Sequence, residues 1–125
     1  MLLEVTSKEP LGPCVRDGDS GWLDVVRWTH YAMLEAEERG ISAKNIGSLK
    51  RELNDPTLRV LLGVDPGNGK ALGLSEDWIY NIVKQVGNYG DIYEKSVGQG
   101  SPLKFARGIN APWSKGGVMY PLPLR

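Results

Sequence analysis

Glycine and proline divide this chain into short stretches and so limit the length of its secondary-structure elements. There are 16 glycines and 8 prolines in 125 residues, a content typical of loop-rich folded proteins and below that of disordered low-complexity chains. Between them the apolar side chains recur with helical spacing, and no run of residues predicts a strand ladder. The sequence therefore predicts a mainly α-helical fold of about five to six short helices.

The first helix is predicted from about Gly21 to Arg39, after a cap at Asp19 or Ser20 and before a stop at Gly40. Its apolar residues cover a wide arc, which predicts that neighbours cover it on more than one side. That arc comprises Trp22, Leu23, Val25, Val26, Thr29, Tyr31, Ala32, Met33, Leu34 and Ala36.

Five shorter helices are predicted to follow, each placed by a capping residue or a proline and most of them ended by a glycine. Their predicted ranges are Ser42 to about Leu53, Pro56 to Leu62 after the cap Asp55, Ser75 to Val86, Asn88 or Asp91 to Val97, and Pro102 to Ile109 after Ser101. A glycine-rich loop over 63–73 separates the third helix from the fourth.

We predict a single helical domain over residues 1–125. Residues 1–16 contain two prolines and are expected to be extended, with a short strand around Cys14–Arg16. Residues 20–110 carry the helices. The tail over 111–125 contains three prolines and is expected to be irregular and extended.

The charge balance and the scarcity of certain residues exclude several classes of function. Fifteen basic residues match fifteen acidic ones, whereas nucleic-acid-binding domains are strongly basic. With Cys14 and His30 as the only cysteine and histidine, neither an internal disulfide nor a conventional zinc site is expected. We therefore expect no metal, cofactor or nucleic-acid partner.

The chain carries no segment that predicts a membrane span or an export signal. No apolar stretch reaches the length needed to cross a bilayer, and Met1–Glu4 lacks the basic start of a signal peptide. If Met1 is the natural start, a cytoplasmic location is expected.

Two loops resemble ion- or phosphate-binding motifs, but each lacks residues that its motif requires. The loop Gly67–Lys70 lacks the Walker pattern, because Val64 stands where a glycine is required and Ala71 follows the lysine. Asp17 and Asp19 could begin a calcium loop, but Trp28 occupies the position of the closing glutamate. Ordinary turns are the preferred interpretation of both.

Candidate catalytic residues likewise favour structural roles, so the chain is not expected to be an enzyme. Cys14 and His30 could act as a nucleophile and base only if the fold joined them. The acids Glu35, Glu37 and Glu38 are placed at an exposed helix end. Glu76 and Asp77 are placed in a first helical turn, where the helix dipole stabilises acids.

Four tryptophans and a mildly basic C-terminal end remain as candidates for binding. Trp22 and Trp78 are predicted to lie in the core, whereas Trp113 is expected to be partly exposed, either docking the tail or contacting a partner. After Glu94 no acid occurs, and the bases Lys95, Lys104, Arg107, Lys115 and Arg125 form an end that suits a solvated surface or an anionic partner.

Several blocks resemble the closing part of the general L-amino-acid-binding periplasmic proteins of ABC importers. The resemblance covers nearly the whole chain and is carried by Pro10–Pro13, Val15–Asp19, Trp22, Ile82–Gly90, Gly98–Lys104, Ala106–Gly108 and Trp113–Gly117. It implies the last third of a two-lobed α/β protein, with a strand near Cys14–Arg16 re-entering the first lobe. It also implies a periplasmic location, an L-amino acid ligand and an importer permease as partner. The family's ligand clamp lies mainly upstream, so no binding residue carries over and the binding residues stay unknown.

Two functions follow as expectations. The leading one is a noncatalytic segment of an amino-acid ABC-transporter binding protein that lacks most of the ligand clamp. The alternative is a stand-alone helical interaction or adaptor protein whose surface is the tail Trp113–Arg125. Since the first helix has no sheet to cover its apolar arc, a homo-oligomer, most simply a dimer, is expected if the chain folds alone.

Overall fold

The computed structural model describes residues 11–51, 53–67 and 69–124, and it confirms the prediction of a mainly helical chain. The α-helices are α1 (Ser20–Glu38), α2 (Ile46–Leu49), α3 (Pro56–Leu61), α4 (Trp78–Val86) and α5 (Tyr89–Ser96). Short 3₁₀ turns lie at Lys70–Leu72, Gly108–Asn110 and Trp113–Lys115. The described residues include no strand, only an isolated bridge between Pro112 and Met119.

The long helix α1 begins and ends where the capping residues predict. The carboxylate of Asp19 accepts a hydrogen bond from the backbone N of Trp22 at 3.0 Å, which satisfies a free amide of the first turn. At the other end Gly40 adopts a φ of 67°, a left-handed conformation that stops the helix at little steric cost.

Capping also fixes α3 and α5 as predicted. Asp55 accepts from the backbone N of Thr57 at 2.8 Å, ahead of Pro56 in the first position of α3. Gly87, at a φ of 92°, separates α4 from α5. Asn88 and not Asp91 is the cap of α5, and the two residues form a reciprocal capping box.

The second helix is much shorter than predicted and starts later. The side chain of Asn45 accepts from the backbone N of Ser42 at 2.8 Å and donates to the carbonyl O of Gly40 at 2.8 Å. These bonds fold residues 42–45 into a turn, so Ser42 caps no helix. Polar side chains that bond nearby backbone groups compete with helix formation in this way.

The fourth helix also starts later than predicted, at Trp78 and not at Ser75. The Ser75 hydroxyl donates to Asp77 at 2.7 Å, while the side chain of Glu76 turns back toward the glycine-rich loop. Asp77 therefore precedes the helix and Glu76 lies outside it, which corrects their placement in a first helical turn.

The predicted sixth helix, Pro102 to Ile109, is wrong. The Ser101 hydroxyl donates to the carbonyl O of Gly98 at 2.9 Å and accepts from the backbone N of Leu103 at 3.1 Å, closing a turn. Lys104 then takes a φ of 54°, which no right-handed helix accommodates. Only the 3₁₀ turn Gly108–Asn110 lies in this region.

The two terminal segments agree with the expectation only in part. No strand forms over Cys14–Arg16, and residues 11–16 carry no regular structure; the expectation for residues 1–10 lies outside the described part. The tail from Ala111 is not simply extended, because it holds the turn Trp113–Lys115 and the bridge to Met119.

The core gathers at the C-terminal half of α1, where α4 and α5 pack against it. Its buried members are Ala32, Ala36, Ile41, Ile46, Leu61, Leu62, Trp78, Ile79 and Val83. Trp78 is buried as predicted, whereas Trp22 is 54% exposed, so its placement in the core is wrong. Helix α1 thus buries only one of its two halves.

Candidate functional site

The exposed half of α1 forms an apolar surface with the segment that precedes it. Trp22 and Leu23 are exposed large side chains of the first helical turns. Pro13, Leu23 and Val26 contribute to a shallow cleft of about 190 Å³ beside His30 and Tyr31. We call Pro13, Trp22, Leu23 and Val26 the α1 apolar surface. Val26 is half-buried and lies one helical turn from the exposed Trp22. Exposed apolar side chains that cluster mark contact surfaces.

A second candidate is a cleft of about 750 Å³ between the end of α1 and the C-terminal tail. The end of α1 and the start of α3 contribute Glu35, Glu38, Arg39 and Thr57. The tail contributes Trp113, Tyr120, Pro121, Pro123 and Leu124. We call this the tail cleft. Its volume lies within the range of small-molecule sites.

Trp113 is fixed in the wall of the tail cleft although 58% of it is exposed. Its indole Nε1 donates to Glu38 Oε1 at 3.0 Å, and its backbone N donates to the carbonyl O of Met119 at 2.9 Å. The tail comes this close because Gly117 packs directly against Ala111, leaving no room for a side chain. Trp113 therefore docks the tail, as one of the two sequence-based interpretations had it.

Two of the three acids at the end of α1, Glu35 and Glu37, are partly buried, which corrects their placement at an exposed helix end, whereas Glu38 is exposed as predicted. Glu35 pairs with Arg39 at 2.5 Å. Glu37 pairs with Arg107 at 2.9 Å, and the Glu37 side chain is only 9% exposed. Glu35 and Glu37 therefore each form an ion pair with an arginine, which favours a structural role over a catalytic one.

Arg107 is accordingly not part of an open basic surface at the C-terminal end. Its guanidinium lies over the rings of Tyr93 and Tyr89, at 4.9 Å and 5.4 Å from the centroids. The nearby Lys104 Nζ donates to the carbonyl O of Gln99. Two of the five basic residues of the C-terminal end are therefore engaged in contacts within the chain.

The backbone of the glycine-rich loop binds the side-chain carboxylate of Glu76. Glu76 accepts hydrogen bonds from the backbone N of Gly67 at 2.8 Å and of Lys70 at 3.2 Å. The bond from Gly67, supported by those from Lys70 and Gly69, lowers the pKa of the Glu76 carboxyl. A Cβ on Gly69 would lie 2.5 Å from the carbonyl O of Ser75, so the close approach requires a glycine there.

The remaining candidates for chemistry are Cys14 and His30. Cys14 is exposed, and in the described part of the chain no hydrogen bond joins it to His30. The His30 ring meets Tyr89 edge-on at 5.6 Å, and burial lowers the pKa of its imidazole. Over residues 11–51, 53–67 and 69–124, no three His, Cys, Asp or Glu side chains are grouped so as to hold a metal ion. Nor does any helix in these ranges combine the length and apolar character needed to cross a bilayer.

Sequence reasoning singled out Trp113 but missed its partners in the tail cleft. In the sequence, Glu38 is one of several acids at a helix end. Nothing near Tyr120 except the neighbouring prolines indicates a structural role. The proximity of these residues to Trp113 depends on how the tail packs against α1, and local sequence patterns do not predict that packing.

No protein-family model matches the chain, but curated proteins resemble it over its whole length. It is 52% identical to the general L-amino acid-binding periplasmic protein AapJ of Rhizobium johnstonii. It is 50% identical to the putative amino-acid ABC transporter-binding protein YhdW of Escherichia coli. It is 43% identical to the glutamate/glutamine/aspartate/asparagine-binding protein BztA of Rhodobacter capsulatus. The chain spans 37% of the length of each of these relatives.

A solved structure agrees with these relatives. An ABC transporter periplasmic binding protein from Brucella ovis, with glutathione bound, superposes with a TM-score of 0.92 at 52% identity. The match covers 99% of this chain and 39% of that one. The resemblance noted from the sequence, to the C-terminal segment of such binding proteins, is confirmed.

Proposed function

We propose that this chain, similar throughout to periplasmic amino-acid-binding proteins of ABC importers, acts as a noncatalytic helical segment of such a protein. Its contribution is structural scaffold, and most of the ligand clamp lies in the remainder that its relatives possess. The proposal extends to the location and partners: the periplasm, an L-amino acid and an importer permease.

The half-covered state of α1 carries this proposal. A helix that buries its C-terminal half against α4 and α5 while exposing Trp22 at the other end suits a junction between two packing units. The adjoining residues 11–16 have no regular structure. Within the described residues, Arg16 O accepts from Asp19 N and Gly12 O accepts from Cys14 Sγ. The other backbone groups of this segment, apart from the imide N of Pro13, suit addition to a sheet supplied by the rest of the protein.

The proposal is tested by titrating the chain calorimetrically with a panel of L-amino acids that excludes arginine and lysine, alone and after mixing with the complementary part of a relative. We expect no heat of binding from the chain alone and binding by the reconstituted pair. Micromolar binding by the isolated chain would contradict the absence of the clamp.

A matched pair of variants locates the junction. Leu23→Glu places a charge on the α1 apolar surface and is expected to abolish reconstitution. Val118→Glu places the same charge at another exposed apolar position, in the C-terminal loop, and is expected to leave it intact. If both variants reconstitute binding equally well, or equally poorly, the α1 apolar surface is not the junction.

The same exposed surface favours a second candidate, a stand-alone helical interaction protein that dimerises. In that case two copies cover each other's α1 apolar surfaces, and the region from Trp113 onward remains available to a partner. Analytical ultracentrifugation at tens of micromolar should then show a dimer that Leu23→Glu dissociates. A compact monomer would exclude this candidate.

A further inference from the structure

The tail cleft has features that the proposed scaffold role does not use. Trp113 and Tyr120 present 58% and 62% of their surface to solvent in the wall of one cleft. Exposed aromatic side chains that line the same cleft mark a candidate binding site.

The ring of Trp113 is held in place before any ligand arrives. The Nε1–Glu38 bond of 3.0 Å orients the indole, and the Met119 carbonyl O fixes the backbone beneath it. An exposed ring that is already fixed loses little conformational entropy on binding. The tail therefore supplies a preformed aromatic surface.

The charge of the cleft is unbalanced toward negative. Glu35 and Arg39 form an ion pair and offset each other. Glu38 receives a hydrogen bond from a neutral indole, and within residues 11–51, 53–67 and 69–124 no cationic side chain pairs with it. The described lining thus keeps one carboxylate charge at the edge of the Trp113 ring, with Tyr120 in the same lining.

We propose that the tail cleft binds a small organic cation, an alkylated ammonium or a guanidinium group. Aromatic faces attract such cations through the negative potential of the ring, and a neighbouring carboxylate adds to the attraction. The volume of about 750 Å³ accommodates a small molecule that carries the cation. This site is separate from the amino-acid binding proposed above, since it lies entirely within this chain.

The test follows the four indole Nε1–H signals of the isotopically labelled 125-residue chain by NMR. Tetramethylammonium chloride and methylguanidinium chloride are the two probes, and tert-butanol is an uncharged control of similar size to the first. We expect a saturable shift of the Trp113 signal with at least one cation and no such shift with the alcohol or with sodium chloride. Equal responses to cation and alcohol, or no response to either cation, would overturn the proposal.

Variants separate the charge from the shape of the cleft. Glu38→Gln keeps an oxygen that accepts from Trp113 Nε1 but removes the charge, and about three- to tenfold weaker binding is expected. Tyr120→Leu lies in the tail outside the core and should weaken binding about three- to fivefold. Asp24→Asn removes an exposed acid elsewhere on α1 and should leave binding unchanged.

The outcome of these variants decides the assignment even if one of them unfolds. Far-UV circular dichroism establishes which variants retain the helical fold. If Glu38→Gln is unfolded, Tyr120→Leu alone tests the site. A folded variant of either kind that binds as tightly as the Asp24→Asn control would overturn the assignment.

Discussion

Arg107 and Glu37, seventy positions apart, form a two-point ion pair that joins the C-terminal segment to α1. Arg107 Nη1 and Nη2 lie 2.9 Å and 3.1 Å from the two oxygens of Glu37, and the side chains are 17% and 9% exposed. The pair also explains a glycine of the Ile82–Gly90 block, since a Cβ on Gly90 would lie 2.7 Å from Glu37 Oε1.

Replacing Arg107 should therefore destabilise the fold. Arg107→Ala leaves Glu37 without its partner in a largely buried site, and a loss of about 2–3 kcal/mol is expected. Arg107→Lys keeps the charge but not the planar fork, so a smaller loss of about 1–2 kcal/mol should follow. Urea denaturation measures both. Arg27→Ala removes an exposed pair with Asp24 and should change stability by less than about 0.5 kcal/mol; an equal effect at both arginines would contradict the argument.

Asn88 is expected to be the most sensitive polar residue near the core. Its Oδ1 accepts from the backbone N of Asp91 at 2.8 Å, and its Nδ2 donates to the buried carbonyl O of Ile41 at 2.7 Å. Asn88→Ala loses both the cap and the buried bond, at an expected cost of about 2–3 kcal/mol. Thermal and urea unfolding measure this loss, and the exposed Asn54→Ala serves as control.

Asn88→Asp separates the two contributions of that side chain. The carboxylate still caps α5 but offers no donor to Ile41, so a loss of about 1–2 kcal/mol should remain. Wild-type stability in Asn88→Asp would show that the bond to Ile41 contributes nothing.

Gly117→Ala should release the tail from its position. The added Cβ would lie 1.8 Å from the carbonyl O of Ala111, so the backbone over 111–119 must move and the bond between Trp113 and Met119 must break. We expect the indole signal of Trp113 to shift toward that of a flexible residue, with a stability loss of about 1 kcal/mol or more. Gly21→Ala adds the same methyl group in open space inside α1 and should stabilise by up to about 1 kcal/mol.

The loop bonds to Glu76 predict a dependence of stability on pH. Because the backbone N of Gly67 and its neighbours lower the pKa of Glu76 in the folded state, the charged carboxylate stabilises the fold above the unfolded value of about 4.3. This stabilisation is lost as pH falls through the depressed folded pKa. Urea denaturation between about pH 7 and pH 3 should show the advantage over Glu76→Gln shrinking in acid; parallel curves for the two proteins would contradict it.

Much of the helical framework could be predicted from the sequence because its signals are local. Asp19 with Gly40, Asp55 with Pro56, and Gly87 with Asn88 each act within a few residues of the helix end they define. The errors arise where a side chain bonds elsewhere. Asn45 shortens the second helix, and Ser101 uses its hydroxyl to close a turn in place of the sixth helix.

The candidate sites were less predictable, because they depend on contacts between distant residues. Trp22 is exposed, whereas the buried residues of α1 lie at Ala32, Leu34 and Ala36, toward its other end. The bond between Trp113 and Glu38 spans seventy-five positions. The apolar pattern of α1 predicts that other elements bury the helix. The pattern does not show which end of α1 is buried within this chain.

The uneven burial of α1 implies that the two ends of this helix differ in local stability. Backbone amides around Ala32–Ala36 should exchange with solvent deuterium only on global opening, whereas those around Trp22–Val26 should exchange through local fraying. A steep protection gradient along this one continuous helix would agree with its uneven burial, and equally slow exchange at both ends would contradict it.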